Sequence, residues 1–249
     1  MYAIIESGEK KYRVNLHQPL DISIPMHSGT HNPNAFGIQP PSFEPFKAGG
    51  FVGSVALGGS VNCENLLINA HGNGTHTECV GHISKEKITI NQSLKTFFAV
   101  AQLISVAPQQ QNQGNMIMLE DVKKVFDPTC SALIIRTLPN TDTKLTAQYS
   151  GNNPTFLESQ LCGWLAEKGI KHLLIDLPSV DPEEDGGALS AHHAFWKYPQ
   201  QPRLDATITE MIYVPSTITD GVYILNIQIV SLETDASPSK PVLYAITTV

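Results

Sequence analysis

A mixed α/β architecture in one domain is predicted from three features of the chain. Short runs rich in β-branched and aromatic residues recur along its length. Between two of these runs, apolar residues repeat at three- and four-residue intervals, the period of a helix. The 249 residues, 41% of them hydrophobic, suffice for one sizeable core, and Pro and Gly are spread among loops rather than gathered into a linker. One domain spanning residues 1–249 is therefore expected.

The strand-like runs are Asp21–Ile24, Phe51–Ala56, Phe97–Ile104, Ala132–Thr137, His172–Asp176, Gly221–Ile229 and Pro241–Ile246. Leu66–Ala70 reads as another, ending at a glycine-rich turn. Gln109–Gln113, flanked by Pro108 and Gly114, reads as a loop. The clearest helix spans 154–168, because Asn153 suits its cap, Pro154 its first position and Gly169 its exit. Leu157, Leu161, Trp164 and Leu165 give it one apolar stripe to lay on a sheet. A shorter helix is expected near Leu119–Phe126, before the strand at Ala132, and this helix-to-strand alternation makes the architecture α/β.

Lys and Arg number 16 against 23 Asp and Glu, a net charge of -7, so no broad basic surface is expected for nucleic acid. No apolar run approaches the roughly 20 residues of a membrane-spanning helix. Met1–Asn15 carries Glu6, Glu9, Lys10 and Lys11 where an export signal would be apolar, and a cytoplasmic protein is expected. The four cysteines show no CxxC spacing. Cys63, Cys130 and Cys162 read as buried free thiols. Cys79 reads as a buried filler, with thiolate ligation of a metal as the alternative.

Chemistry concentrates in one segment. His71, His76, Glu78 and His82 fall within twelve residues of a chain that has nine histidines. Imidazole and carboxylate are ligands for zinc, manganese or iron, and a turn at Gly72 and Gly74 lets such side chains converge. If the backbone is extended after Gly74, His76 and Glu78 face the same side, and a helical turn beyond Glu78 returns His82 to that side. The upstream segment His27-Ser-Gly-Thr-His31 is a look-alike with no carboxylate two residues after its second histidine. His27 and His31 suit a loop lining a substrate pocket, or a solvated loop. Further ligands must come from distant residues, and His192, His193 and Glu210 are candidates. Only one of the adjacent histidines should reach the ion. Glu210 lies in a β-prone run, where it faces solvent, a partner or a metal.

Gly74-Thr75-His76-x-Glu78-x-Val80-x-His82 resembles the pattern His-x-Gly-Thr-His-x-Asp-x-Pro-x-His of the cyclase family of metal-dependent hydrolases, which includes kynurenine formamidases and isatin hydrolases. Asp176–Pro182, Ala191–Ala194, Glu210 and Asp235–Pro238 resemble later family segments in the same order, from about Asp21 to Ile246. Glu78 stands where the family has Asp, Val80 where it has Pro, and Gly72 where strict spacing puts its first histidine, one residue after His71. The resemblance implies a compact β/β/α arrangement, a dimer or larger homo-oligomer, and one or two divalent ions, zinc or manganese. It implies His71, His76, Glu78, His192 and Glu210 as ligands and His82 as the acid/base.

The activity expected is hydrolysis of the C–N bond of a small amide, formamide or cyclic amide by metal-activated water. Two alternatives stay open: a non-catalytic metal-binding protein of the same fold, and a metal-dependent lyase or dehydratase in which the ion stabilises an enolate.

Overall fold

The computed structural model describes residues 1–248. Seven strands form its frame: β1 (His76–Cys79), β2 (Phe98–Val106), β3 (Ala132–Thr137), β4 (His172–Ile175), β5 (Thr207–Glu210), β6 (Gly221–Ile229) and β7 (Ala236–Thr248). β2, β3, β4 and β5 run parallel, in that order. β6 lies antiparallel against β2, and β1 antiparallel against β5. β7 closes the ring by pairing along Ser239–Ala245 with β6 and along Ala236–Pro238 with β1. The result is a seven-stranded barrel, which leaves no free edge among these strands.

The strands alternate sides. Ala101, Leu103, Ala132, Ile134, Leu174, Leu225 and Leu243 fill the interior, where Cys79 joins them. Ile104, Leu133, Ile135, Leu173, Ile175 and Ile208 point outwards to a second core. Two helices, α1 (Ser159–Glu167) and α2 (Ser190–Trp196), supply Leu161, Leu165, Ala191, Phe195 and Trp196 to that outer layer. Strands covered on both faces carry near-continuous apolar runs, which is why β3 and β4 stand out in the sequence. The architecture is the mixed α/β, β/β/α arrangement expected.

Several boundaries differ from expectation. The helix predicted over 154–168 begins at Ser159, because Phe156–Leu157 is instead drawn into parallel pairing with Gly114–Ile117, and Glu158 rather than Asn153 takes the cap position. Gln109–Gln111 is a strand in a hairpin with Gly114–Ile117, not a loop. Leu119–Lys123 is the shorter helix, ending before Phe126. Of the first predicted run only Asp21 is in a strand, with Leu20 before it, and of the second only Phe51–Val52, which passes into a 3-10 turn at Val55–Leu57. The run before the glycine turn forms a strand only over Glu64–Leu67. Cys63 is exposed, unlike the other three cysteines. An unexpected hairpin, Tyr2–Ser7 with Lys10–Asn15, continues the sheet from the end of β7. Among the described residues no helix is long and apolar enough to cross a membrane.

Candidate metal centre

The glycine turn sets the first group of side chains. Gly74 has φ +150°, a conformation that L side chains rarely adopt, and it turns the chain into β1. Thr75 pins the junction by donating to the Met211 carbonyl at 2.6 Å and accepting from the Ile24 amide at 2.9 Å. Along β1, Thr77 meets Thr209 and Cys79 enters the barrel, so His76 and Glu78 face outwards towards α2. Antiparallel register sets Glu210 of β5 directly opposite His76. A 3-10 turn at Val80–His82 brings His82 Nδ1 to 3.8 Å from Glu78 Oε2.

The second group comes from α2. Asp181 accepts the amides of Ala191 and His192 at the helix start, and also His192 Nδ1 at 2.7 Å. His192 Nε2 then lies 3.1 Å from Glu78 Oε1. His193 turns away, its Nδ1 on the Tyr198 carbonyl at 2.9 Å, so one histidine of the adjacent pair reaches the cluster.

Three imidazoles share one arrangement, with an outer nitrogen anchored and an inner nitrogen facing carboxylate. His71 holds Asp235 with Nε2 at 2.8 Å and faces Glu78 Oε2 with Nδ1 at 3.1 Å. His76 anchors Nδ1 on the Gly74 carbonyl at 3.0 Å and turns Nε2 to Glu210 Oε2 at 3.4 Å. His192 does likewise between Asp181 and Glu78. His76 Nε2 and Glu78 Oε2 are buried without a hydrogen-bond partner. Such orphaned polar atoms are costly unless something meets them. One donor atom each of His71, His76 and Glu78 lie within 4.8 Å of one another, as do those of Glu78, His82 and His192. Anchored outer nitrogens fix tautomer and ring orientation in metal-binding histidines, so this donor set fits a divalent cation.

The electrostatics agree. Burial opposes charge on His71, but Asp235 and Glu78 outweigh it and raise the ring to about 10. Burial likewise opposes charge on His192, and Asp181 and Glu78 raise it to about 10. Burial works to raise Glu78, yet His82, His192 and His71 hold its carboxyl well below the usual range. An acid-rich cluster that draws protons onto its imidazoles offers the negative field a cation would meet.

His71, His82, His192 and Glu210 line a cavity of about 240 Å³, with Phe36, Pro182 and Leu189 also in its wall. A larger cleft of about 770 Å³ shares Pro182 and Asp185 with it, but no histidine lines that cleft. His27 and His31 do not line the cavity. Their rings lie 6.0 Å apart, and Asn32 ties the His27 and Gly29 carbonyls so that the loop folds on itself. Phe36 is the part of that loop that reaches the site. Asp181 and Asp235 touch the centre, although the sequence offered them only as members of the segments Asp176–Pro182 and Asp235–Pro238 and gave neither a role of its own.

Residues 14–182 match a family model described as putative cyclase. A kynurenine formamidase of Bacillus thuringiensis (strain Al Hakam) is 27% identical over 190 residues, covering 76% of this chain and 82% of that protein. A structure described as a predicted metal-dependent hydrolase from Bacillus stearothermophilus aligns with a TM-score of 0.62 at 16% identity, over 91% of this chain and 98% of its own. An isatin hydrolase bound to the product analogue thioisatinate aligns with a TM-score of 0.65 at 11% identity, over 92% and 93%. At those identities the solved structures speak for the fold. The family match, however, takes in the glycine turn, β1, His82 and Asp181, and runs over most of the chain: it belongs to the putative cyclase family.

Proposed function

We propose that the protein is a metal-dependent hydrolase cleaving the C–N bond of a small amide, formamide or cyclic amide. The observation that carries the reading is the convergence of the inner nitrogens of His71, His76 and His192 on Glu78 and Glu210, with each outer nitrogen already held. In this reading those five residues hold one or two divalent ions, zinc or manganese. When bound, such an ion polarises a carbonyl oxygen and makes water acidic near neutral pH. The relatives named as a formamidase and a hydrolase support the reaction type.

The chain's own residues supply the rest. His82 lines the cavity and directs Nδ1 to Asp235, so Nε2 is the atom that takes a proton from water and returns it to the leaving nitrogen. Phe36, Pro182 and Leu189 offer apolar contact to a small substrate. The protein acts as a dimer or larger homo-oligomer, a reading supported by the apolar surface of the arm between Ser42 and Leu67, where Phe46, Phe51, Leu57, Leu66 and Leu67 are exposed.

The test is elemental analysis of the metal-replete protein with a screen of amides, formamides and lactams in oxygen-18 water, with and without chelator. Turnover is expected to stop on chelation, to return with zinc or manganese, and to place one solvent oxygen in the carboxyl product. His82→Ala is expected to cut turnover by about 100-fold or more while metal content stays unchanged. Stoichiometric metal with no turnover of any of these compounds would refute the assignment.

A further inference from the structure

Asp235 supplies none of the proposed ligands, yet its side chain touches two imidazoles of the centre. It precedes β7 by one residue, where Ala236 pairs with Glu78, and its carbonyl accepts the Cys79 amide at 3.0 Å. Barrel closure therefore sets it beside the end of β1 and the turn that carries His82. A single oxygen, Oδ2, makes both contacts, at 2.8 Å to His71 Nε2 and 3.2 Å to His82 Nδ1. The two rings stack with centroids 4.4 Å apart and planes 30° from parallel. Gly81 makes room for this packing, since a Cβ there would stand 1.9 Å from the Ile88 carbonyl oxygen and 3.3 Å from Asp235 Cβ.

An ionised carboxylate only accepts hydrogen bonds, so each ring must present an N–H to Oδ2. In a neutral ring the proton then sits on Nε2 of His71, which leaves the Nδ1 lone pair facing Glu78. In His82 it sits on Nδ1, which leaves Nε2 as the acceptor. We infer that Asp235 is a positioning residue that fixes both tautomers through one oxygen, tying a ring that holds the ion to the ring that moves the proton. Asp181 serves His192 alone, whereas Asp235 links rings of two different roles. The effect on turnover rests on the hydrolytic reading above; the effect on tautomers does not.

The test uses full-length protein carrying nitrogen-15 in its histidine rings, metal-free and zinc-loaded, at a pH where the His82 ring is neutral. Long-range proton–nitrogen correlation is expected to show His82 as the Nδ1–H form in wild type and in Asp235→Asn, whose amide oxygen still accepts. In Asp235→Ala the Nε2–H form is expected to dominate. On a substrate found in the screen, Asp235→Ala should lower kcat by about 10- to 100-fold with KM changed by less than about threefold, and Asp235→Asn should recover part of that loss. A wild-type His82 in the Nε2–H form, or Asp235→Ala with kcat within about twofold of wild type, would overturn the inference. An Nδ1–H ring that depends on Asp235, in a protein that turns over no amide, would uphold the positioning role and remove the hydrolytic one.

Discussion

Glu78, fully buried, lies between His71 and His192, with a carboxylate oxygen 3.1 Å from a nitrogen of each. This coupling makes the stability of the metal-free protein depend on pH with a definite sign. The folded state raises His71 and His192 from 6.5 to about 10, so their contribution is complete below about 6.5 and lost as pH rises through about 10. Glu78 is held below its ordinary value of 4.5, so its contribution is present above that value and lost on acidification. Metal-free protein is therefore expected to melt at progressively lower temperature between about pH 6.5 and 10. Metal-loaded protein should not, because the cation takes the place of the protons. Calorimetry across that range checks it, and parallel curves with and without metal would contradict it. His76 and Glu78 were legible in the sequence because a strand's period of two puts them on one face. His71 was legible only by proximity, since strict spacing favours Gly72, and the structure brings His71 to Glu78 nonetheless. Asp235 stood in the family-like segment Asp235–Pro238, but its role was not legible, because its contact with His71 joins residues 164 apart in the chain.

Of the two helices packed on the barrel, α2 is the one that carries an imidazole to the centre. Asp181 accepts two backbone amides at its start and the ring of its His192. Loss of that carboxylate should unseat both. Asp181→Ala is expected to weaken metal affinity by about 10- to 100-fold and to cost about 1 kcal/mol of stability, measured by chelator competition and urea denaturation. Wild-type affinity in that variant would show that the ring needs no such anchor. Strands β3 and β4 were legible because both of their faces are buried, which gave them near-continuous apolar runs. The start of α1 was not, since Asn153 and Pro154 carry a cap-like pattern while Phe156 and Leu157 are claimed by a neighbouring strand. The N-terminal hairpin hid behind its charges, with Glu6 opposite Lys11 across the pair.

At the scale of the whole molecule, the arm between Ser42 and Leu67 stands apart from the barrel's two cores. Its strand Glu64–Leu67 is exposed throughout, paired only with Ser42–Pro45, and a lone two-stranded sheet is marginal in water. Association of copies through this arm would cover its apolar side chains. Light scattering after gel filtration is expected to give at least two copies, and Leu66→Glu with Leu67→Glu to shift the protein towards one. A monomeric wild type would exclude that assembly. β7, which closes the barrel against both β6 and β1, has a consequence for how the protein is made. During synthesis every imidazole and carboxylate of the centre, Asp235 included, leaves the ribosome ahead of that closing strand. The nascent chain therefore holds all five proposed ligands and the anchor Asp235 while β1 is still unpaired along one edge.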